Sequence, residues 1–502
     1  MIVIIDFGSQ YTQLIARRVR ECRVYSEILS CFSKSKAILE KKPEGIILSG
    51  GPNSVYAINP DNFRHLFDAG LPILGICYGM QLGAEIFGGK VKRSEQREYG
   101  PAVVRVNPNP LFDRLPSRFR VWMSHGDSVI RAPHNARIIA STETTSIAAF
   151  QHQNFFGLQF HPEVKHTKGG IRIINNFLVN ICHAKKSWTM ARFIQDKIRE
   201  IKTTAADDKI ICAISGGVDS TVAATLTARS VGNNLICVFV DNGLLRHDEK
   251  EEVKKLLSGF VNLKIIDAGP QFINRLKNVK NPERKRKIIG REFIRVFERE
   301  AEKVKGIKYL VQGTLYPDVI ESGQGIGPSD IIKSHHNVGG LPARMRLKVI
   351  EPLRKLFKDE VRELGRNLGL PDSFILRKPF PGPGLAVRVV GPVNHERLEI
   401  LRAADRIIME ESQKLHNYHK IWQIFALLLP LGSVGVMGDK RTYDSVIAIR
   451  AVESDDGMTA DWVRLPHRFL SLVSHRITNE VKGINRVVFD ITSKPPATIE
   501  WE

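Results

Sequence analysis

Gly75-Ile76-Cys77-Tyr78-Gly79 sets a thiol between two glycines, directly after the apolar run Ile73–Ile76. This is the form of a nucleophile elbow, a tight strand-to-helix turn with the reactive side chain at its apex. The positive end of the following helix favours an anion there, and the turn's own N–H groups can hold an oxyanion. A second donor is expected from Gly50-Gly51-Pro52, at a neighbouring strand end. A cysteine nucleophile also needs a base and a group that orients the base. His161-Pro162-Glu163 supplies both types, and residues two apart in an extended chain face the same way, into one cleft. Either a lone cysteine or a lone histidine reads as an ordinary core or surface residue. The elbow and the His-x-Glu spacing together point to covalent catalysis by a thiol.

Ser215-Gly216-Gly217-Val218-Asp219-Ser220 carries different chemistry. It lacks the Gly-Lys-Ser/Thr of a Walker loop but keeps the parts of a phosphate cradle. Two glycines let successive amides turn toward an anion, two serines add hydroxyls, and a helix expected to begin near Thr221 adds its dipole. Asp219 is placed to help hold Mg²⁺ against phosphates. One site that makes a reactive fragment and one that consumes it is the simplest account of both loops in one chain.

Open α/β sheets can position such loops, because their sites lie at the carboxyl ends of the strands. Ile2–Ile5, Ile46–Leu48 and Ile73–Ile76 read as buried parallel strands, with a helix over Tyr11–Cys22. After a polar helical stretch around Trp188–Asp208, a second α/β pattern follows in Ile210–Ile214, Leu235–Val240, Leu263–Ile266 and Tyr309–Gln312. Lys378-Pro379-Phe380-Pro381-Gly382-Pro383-Gly384 breaks it. A smaller α+β part then holds a helix over Leu398–Leu415 and strands at Ser445–Ala451 and Arg486–Ile491. The expected architecture is two successive open, mainly parallel α/β domains, residues 1–187 and 188–377, and a C-terminal α+β domain, 378–502.

At 502 residues the chain exceeds one ordinary core, and 43% hydrophobic with 25% charged residues describes a soluble globular protein. Its six cysteines form no Cys-x-x-Cys pair and no metal-ligand spacing, so a reduced, cytoplasmic compartment is expected. No basic segment precedes the first strand and no apolar run spans a bilayer, so neither a leader peptide nor a membrane is expected. The formal charge of +21 suits anionic substrates. It suits nucleic acid equally, but the basic residues are scattered and no aromatic-plus-basic RNA motif accompanies them, so no nucleic-acid partner is expected.

Residues 1 to about 187, with Gly75-Ile76-Cys77-Tyr78-Gly79-Met80-Gln81, Gly50-Gly51-Pro52 and His161-Pro162-Glu163, resemble a class I glutamine amidotransferase domain. The resemblance implies Cys77 as nucleophile, His161 as general base and acid, and Glu163 as the group orienting it. It implies further that Gly51 and Tyr78 form the oxyanion hole and that Gln81 lines the glutamine pocket. The second loop resembles that of the PP-loop ATP pyrophosphatases, which cleave ATP between the α and β phosphates and adenylate a substrate oxygen. That implies ATP at Ser215, Gly216, Gly217, Val218, Asp219 and Ser220, and adenosine near Val240.

The stretches 312–322, 332–342 and 380–385 and the tail Lys494-Pro495-Pro496-Ala497-Thr498-Ile499-Glu500-Trp501-Glu502 are similar to the glutamine-hydrolysing GMP synthetases, end to end. This implies ATP, XMP and glutamine as substrates, Mg²⁺ with the ATP, no tightly bound organic cofactor, and a homodimer through the C-terminal domain. XMP is then expected at Arg286, Arg388, Lys494, Ile499 and Glu500, under a lid carrying Lys333, His335 and His336. The adjacent histidines have no third ligand at a suitable spacing and do not read as a metal site. One departure is Gly432, where that family usually has arginine. A PP-loop adenylase acting on tRNA would share the loop and the charge, but it needs neither the Cys77 site nor this tail.

Overall fold

A computed structural model describes residues 1–57, 59–321, 347–437, 439–454 and 459–502. The chain divides into two units. One holds Met1–Phe193 and takes in the short helix Tyr316–Glu321; the other holds Ile194–Leu315 and the described residues from 347 onward.

The first unit is built on nine strands: β1 (Ile2–Asp6), β2 (Ser26–Ser30), β3 (Gly45–Leu48), β4 (Ile73–Ile76), β5 (Lys90–Val106), β6 (Arg118–Arg131), β7 (Arg137–Ser141), β8 (Ala149–His152) and β9 (Phe155–Leu158). They lie in the order β2-β1-β3-β4-β9-β8-β7-β5-β6. Pairing is parallel from β2 to β9 and antiparallel from β9 to β6. β3, β4 and β9 are buried at every position, as strands covered on both faces must be. β6 alternates buried with exposed residues, as an antiparallel strand with one wet face does. The helix over Tyr11–Cys22 runs from Thr12 to Glu21 and buries Ile15, Ala16 and Val19. Edge strand β2 is covered in part by Tyr316, whose hydroxyl accepts from the Ile28 amide at 2.7 Å.

The second unit holds a five-stranded, wholly parallel sheet of β10 (Lys209–Ile214), β11 (Leu235–Asp241), β12 (Asn262–Asp267), β13 (Ile307–Val311) and β14 (Lys348–Ile350). Its order β12-β11-β10-β13-β14 puts β10 at the switch point, where the chain turns from one side of the sheet to the other. A ligand crevice is expected there. The remaining strands, β15 (Gln423–Met437), β16 (Lys440–Glu453), β17 (Asp461–Trp462) and β18 (Ile484–Asp490), form a four-stranded sheet backed by helices His395–Ser412 and His467–Glu480. Apolar residues from both sheets and from the helices on them, among them Val238 and Ile424 from strands and Phe272 and Val473 from helices, belong to one hydrophobic cluster. Among the described residues no helix is long and apolar enough to cross a membrane.

Candidate active sites

β4 ends at Ile76 and helix Tyr78–Ile86 begins two residues later, so Cys77 alone makes the turn. Its φ of +52° is a strained conformation for a cysteine. The amide of Cys77 is pinned to Leu158 O at 2.7 Å. The flanking glycines serve close packing, since neither has positive φ. A Cβ on Gly75 would lie 2.5 Å from Gly79 O, and one on Gly79 would lie 2.6 Å from Leu48 O. As the first helical residue, Tyr78 has an amide with no acceptor inside the helix.

His161 lies beside the Cys77 side chain in the same cleft and, through Nδ1, hydrogen-bonds Glu163 Oε1 at 2.7 Å. Both His161 and Glu163 are buried. Burial opposes a charge on His161, but the Glu163 carboxylate and the Cys77 side chain outweigh it and hold the imidazole well above its ordinary pKa of 6.5. Glu163 Oε2 is buried without a hydrogen-bond partner among the described residues, which also favours a cationic imidazole. The backbone is fixed around the pair: Arg18 Nε donates to Glu163 O at 2.9 Å and Thr167 Oγ1 donates to His161 O at 2.6 Å. Cys77, His161, Gly51, Tyr78 and Gln81 all open into one cleft of about 900 Å³, with Glu163 behind it. The arrangement can form a thiolate–imidazolium pair beside a groove large enough for an amino-acid amide.

Gln159 is a residue that sequence reasoning passed over. Its Nε2 reaches Cys77 Sγ at 3.7 Å, and its Oε1 accepts from Gln81 Nε2 at 3.4 Å. Gln81 Nε2 also donates to Asp127 O at 2.7 Å. Ser124, His125 and Asp127 face the same cleft from β6, and a polar Ser-His-Gly-Asp run inside an alternating strand was the signal for them.

In the second unit, β10 runs into Ser215-Gly216-Gly217, and the helix begins at Val218, three residues earlier than expected. Asp219 and Ser220 therefore lie in its first turn. Gly216 has φ +79°, which glycine adopts freely. Ser215 Oγ and Ser220 Oγ are 3.0 Å apart, and Ser220 Oγ accepts from Ser215 N at 3.2 Å and donates to Gly217 O at 3.2 Å. These bonds hold the loop ready-formed. Gly313, beyond β13, lets that strand end approach the loop: its Cβ would stand 3.1 Å from Asp219 C. Val240 is buried near the end of β11. Lys358, which the sequence did not single out, places Nζ 2.6 Å from both carboxylate oxygens of Asp219.

The tail residues come together around enclosed cations. Arg388 is fully buried and grips Glu500 through Nε at 3.2 Å and Nη2 at 2.9 Å. Lys285, also fully buried, donates to Ala386 O at 3.0 Å, to Val389 O at 2.8 Å and to the Glu502 carboxylate. Arg286, next along helix Pro282–Glu302, donates to Glu502 O. Arg450 holds the backbone carbonyls of Thr498 at 3.2 Å and Ile499 at 3.4 Å. Ile499 packs against the cluster of Phe425, Leu427 and Ala448. Lys494 is placed by a two-way backbone bridge to Ala460. Arg388 thus reaches the tail rather than open solvent. Lys333, His335 and His336 lie outside the described residues.

Residues 3–181 match the family model for class-I glutamine amidotransferases, 189–287 that for NAD synthase, and 410–501 that for the GMP synthase C-terminal domain. A glutamine-hydrolysing GMP synthase of Chlorobium chlorochromatii is 56% identical over 514 residues, covering 100% of this chain and 99% of that one. One from Aquifex aeolicus is 54% identical over 508 residues, with the same coverage. The chain belongs to the glutamine-hydrolysing GMP synthases. A solved structure from Thermoplasma acidophilum, described as a candidate GMP synthase subunit, is 33% identical, with a TM-score of 0.34 over 39% of this chain and 96% of its own.

At Gly432, where the resemblance leads one to expect arginine, an aromatic ring takes the space instead. Gly432 pairs with Ser445 across β15 and β16, and a Cβ on it would meet Tyr443 Cε1 at 2.5 Å. Tyr443 is 75% exposed, so its side chain lies over the glycine without being locked there.

Proposed function

We propose that this chain aminates XMP to GMP, with glutamine as nitrogen donor and ATP cleaved to AMP and pyrophosphate. The observation that carries the reading is the assembled Cys77-His161-Glu163 triad together with the preformed Ser215–Ser220 loop, in a chain alike end to end with named GMP synthases. The Cys77 thiolate attacks the glutamine side-chain amide, with the Tyr78 and Gly51 amides receiving the oxyanion. His161 delivers a proton to the departing ammonia and then takes one from the water that hydrolyses the thioester. At the second loop the xanthine C2 oxygen attacks the α phosphorus of ATP, pyrophosphate leaves, and ammonia then displaces AMP at C2. Arg286, Lys494, Ile499 and Glu500 are the proposed XMP contacts, and Arg388 serves by fixing Glu500.

The donor set fits Mg²⁺. Asp219 offers one carboxylate beside two serine hydroxyls, and Mg²⁺ is commonly held by one or two carboxylates plus substrate phosphates. Among the described residues no cluster of three or more His, Cys, Asp or Glu side chains is placed to hold a metal alone. Bound there, Mg²⁺ would neutralise phosphate charge. A domain division at 187 and 377, a homodimer and a cytoplasmic location belong to the same reading.

The test is AMP and GMP formation from ATP, Mg²⁺ and XMP, with glutamine or ammonium, for wild type and Cys77→Ala. Wild type should use both nitrogen sources and Cys77→Ala only ammonium. Absence of GMP with either source would remove XMP as the acceptor and make tRNA the next substrate to try.

A further inference from the structure

We infer that Glu98 is a positioning residue of the thiol site: through His125 it fixes the Asp127 carbonyl on which Gln81 is set in the cleft. The inference rests on reading that cleft as the glutamine site.

The unit that carries the triad holds a second buried histidine–carboxylate pair, which the chemistry at Cys77 does not use. His125 is 4% exposed, and its Nε2 lies 3.0 Å from Glu98 Oε2. The two residues face each other across β5 and β6, just after a break in register between Arg93 and Glu98. Such irregularities re-aim side chains, and here the Glu98 carboxylate is only 12% exposed between exposed Arg97 and Tyr99. Thr145, from the turn between β7 and β8, donates its hydroxyl to the same Glu98 oxygen at 2.9 Å. Replacing a buried pair of this kind by apolar residues often costs no stability, so stability alone gives little reason to keep it.

The imidazole passes the placement on. Its Nδ1 lies 3.1 Å from Asp127 O, and a carbonyl only accepts, so Nδ1 carries a proton and donates. The contact between Nε2 and Oε2 needs one further proton between them, and that bond ties the ring to β5 in one orientation. Asp127 O also accepts from Gln81 Nε2 at 2.7 Å, and Gln81 Nε2 donates to Gln159 Oε1 at 3.4 Å. Gln159 Nε2 in turn reaches Cys77 Sγ at 3.7 Å. Both N–H bonds of Gln81 are thus committed to the protein, leaving Oε1 as the atom it can offer to an N–H group of a bound amino acid. Without Glu98 the ring loses its brace, and the carbonyl that orients Gln81 loses its fixed donor.

Glutamate release by the full chain, with ATP, Mg²⁺ and XMP present, separates positioning from stability when KM and kcat for glutamine are read beside melting temperature. The variants are Glu98→Met, Glu98→Gln, His125→Asn and the double variant Glu98→Met/His125→Asn. Glu98→Met should raise KM about tenfold or more, as expected for losing a hydrogen bond to a charged group, with kcat within about threefold. Glu98→Gln can still donate to Nε2 and should keep KM within about threefold of wild type. His125→Asn keeps an N–H for Asp127 O but cannot reach Glu98, so it should match Glu98→Met. The double variant should then lose no more than either single one. Where Glu98→Met does not fold, Thr145→Val removes one donor from the same oxygen and should raise KM about threefold. Unchanged KM in Glu98→Met, or in Thr145→Val in its place, overturns the inference, as do a Glu98→Gln as impaired as Glu98→Met and losses that add in the double variant. A fall in melting temperature and kcat with KM unchanged also overturns it. Wild type that releases no glutamate would instead remove the glutamine reading of the cleft, and this inference with it.

Discussion

Replacing Glu163 by glutamine separates charge from geometry at the thiol site. The amide oxygen of Gln can still accept from His161 Nδ1, so the 2.7 Å contact survives and the imidazole stays in place. What disappears is the carboxylate charge that, with Cys77, outweighs burial and raises the His161 pKa. Burial then acts with much less opposition, and the imidazole becomes neutral across the working pH range. A hydrogen bond to a charged group contributes about 1.5–3 kcal/mol. At about 1.36 kcal/mol per factor of ten, losing that interaction lowers kcat for glutamate release roughly 10- to 150-fold. The assay is glutamate release from glutamine between about pH 6 and 9, with KM followed separately, because Glu163 lies behind the cleft and does not line it.

Stability carries a second signature of the same pair. The His161 pKa is raised on folding, so its contribution is complete below the unfolded value of 6.5 and is lost as pH rises through the folded one. Wild type should therefore exceed Glu163→Gln in melting temperature most clearly below pH 6.5, with the gap narrowing above it. If Glu163→Gln keeps kcat within about twofold and the same pH profile, the carboxylate charge does not govern His161 and the reasoning fails.

Four further outcomes are expected. Gly79→Ala forces a Cβ to 2.6 Å from Leu48 O and should destabilise the first unit by about 1–3 kcal/mol, seen as a lower melting temperature with loss of glutamate release. Arg388→Lys keeps the charge but loses the two-pronged hold on Glu500, so KM for XMP should rise about tenfold while KM for glutamine is unchanged. Burial lowers the Lys378 pKa to about 8, so unfolding takes up a proton between pH 8 and 10.5; stability relative to Lys378→Met should rise with pH in that window in thermal melts. Gly432→Arg should change stability by less than about 1 kcal/mol in denaturant titrations, because the Tyr443 ring it displaces is largely in solvent.

Legibility in the sequence followed how locally each feature is determined. β1, β3, β4 and β10 stand out because burial on both faces makes a short, unbroken apolar run. The long β5–β6 pair does not, since its wet face carries Arg105, Arg118 and Arg120, and such a stretch reads as surface. Cys77, His161 and the Ser215–Ser220 loop could be read because each motif lies within a few residues. Lys358 could not, because its partner Asp219 is 139 positions away.

The same holds for the tail, where composition alone marks no single cation. Seventy-four lysines and arginines make solvated surface the natural reading of any one of them, yet Arg388, Arg450 and Lys285 are fully enclosed. Burying an unpaired cation costs several kcal/mol, so an enclosed one marks a place where the fold needs a fixed charge. All three converge on the last residues of the chain. None of residues 491–502 is fully buried, so hydrophobic burial alone gives that segment little reason to stay in place. The enclosed cations supply the reason, and they bring Glu500 to a defined position that no local pattern in the tail could have specified.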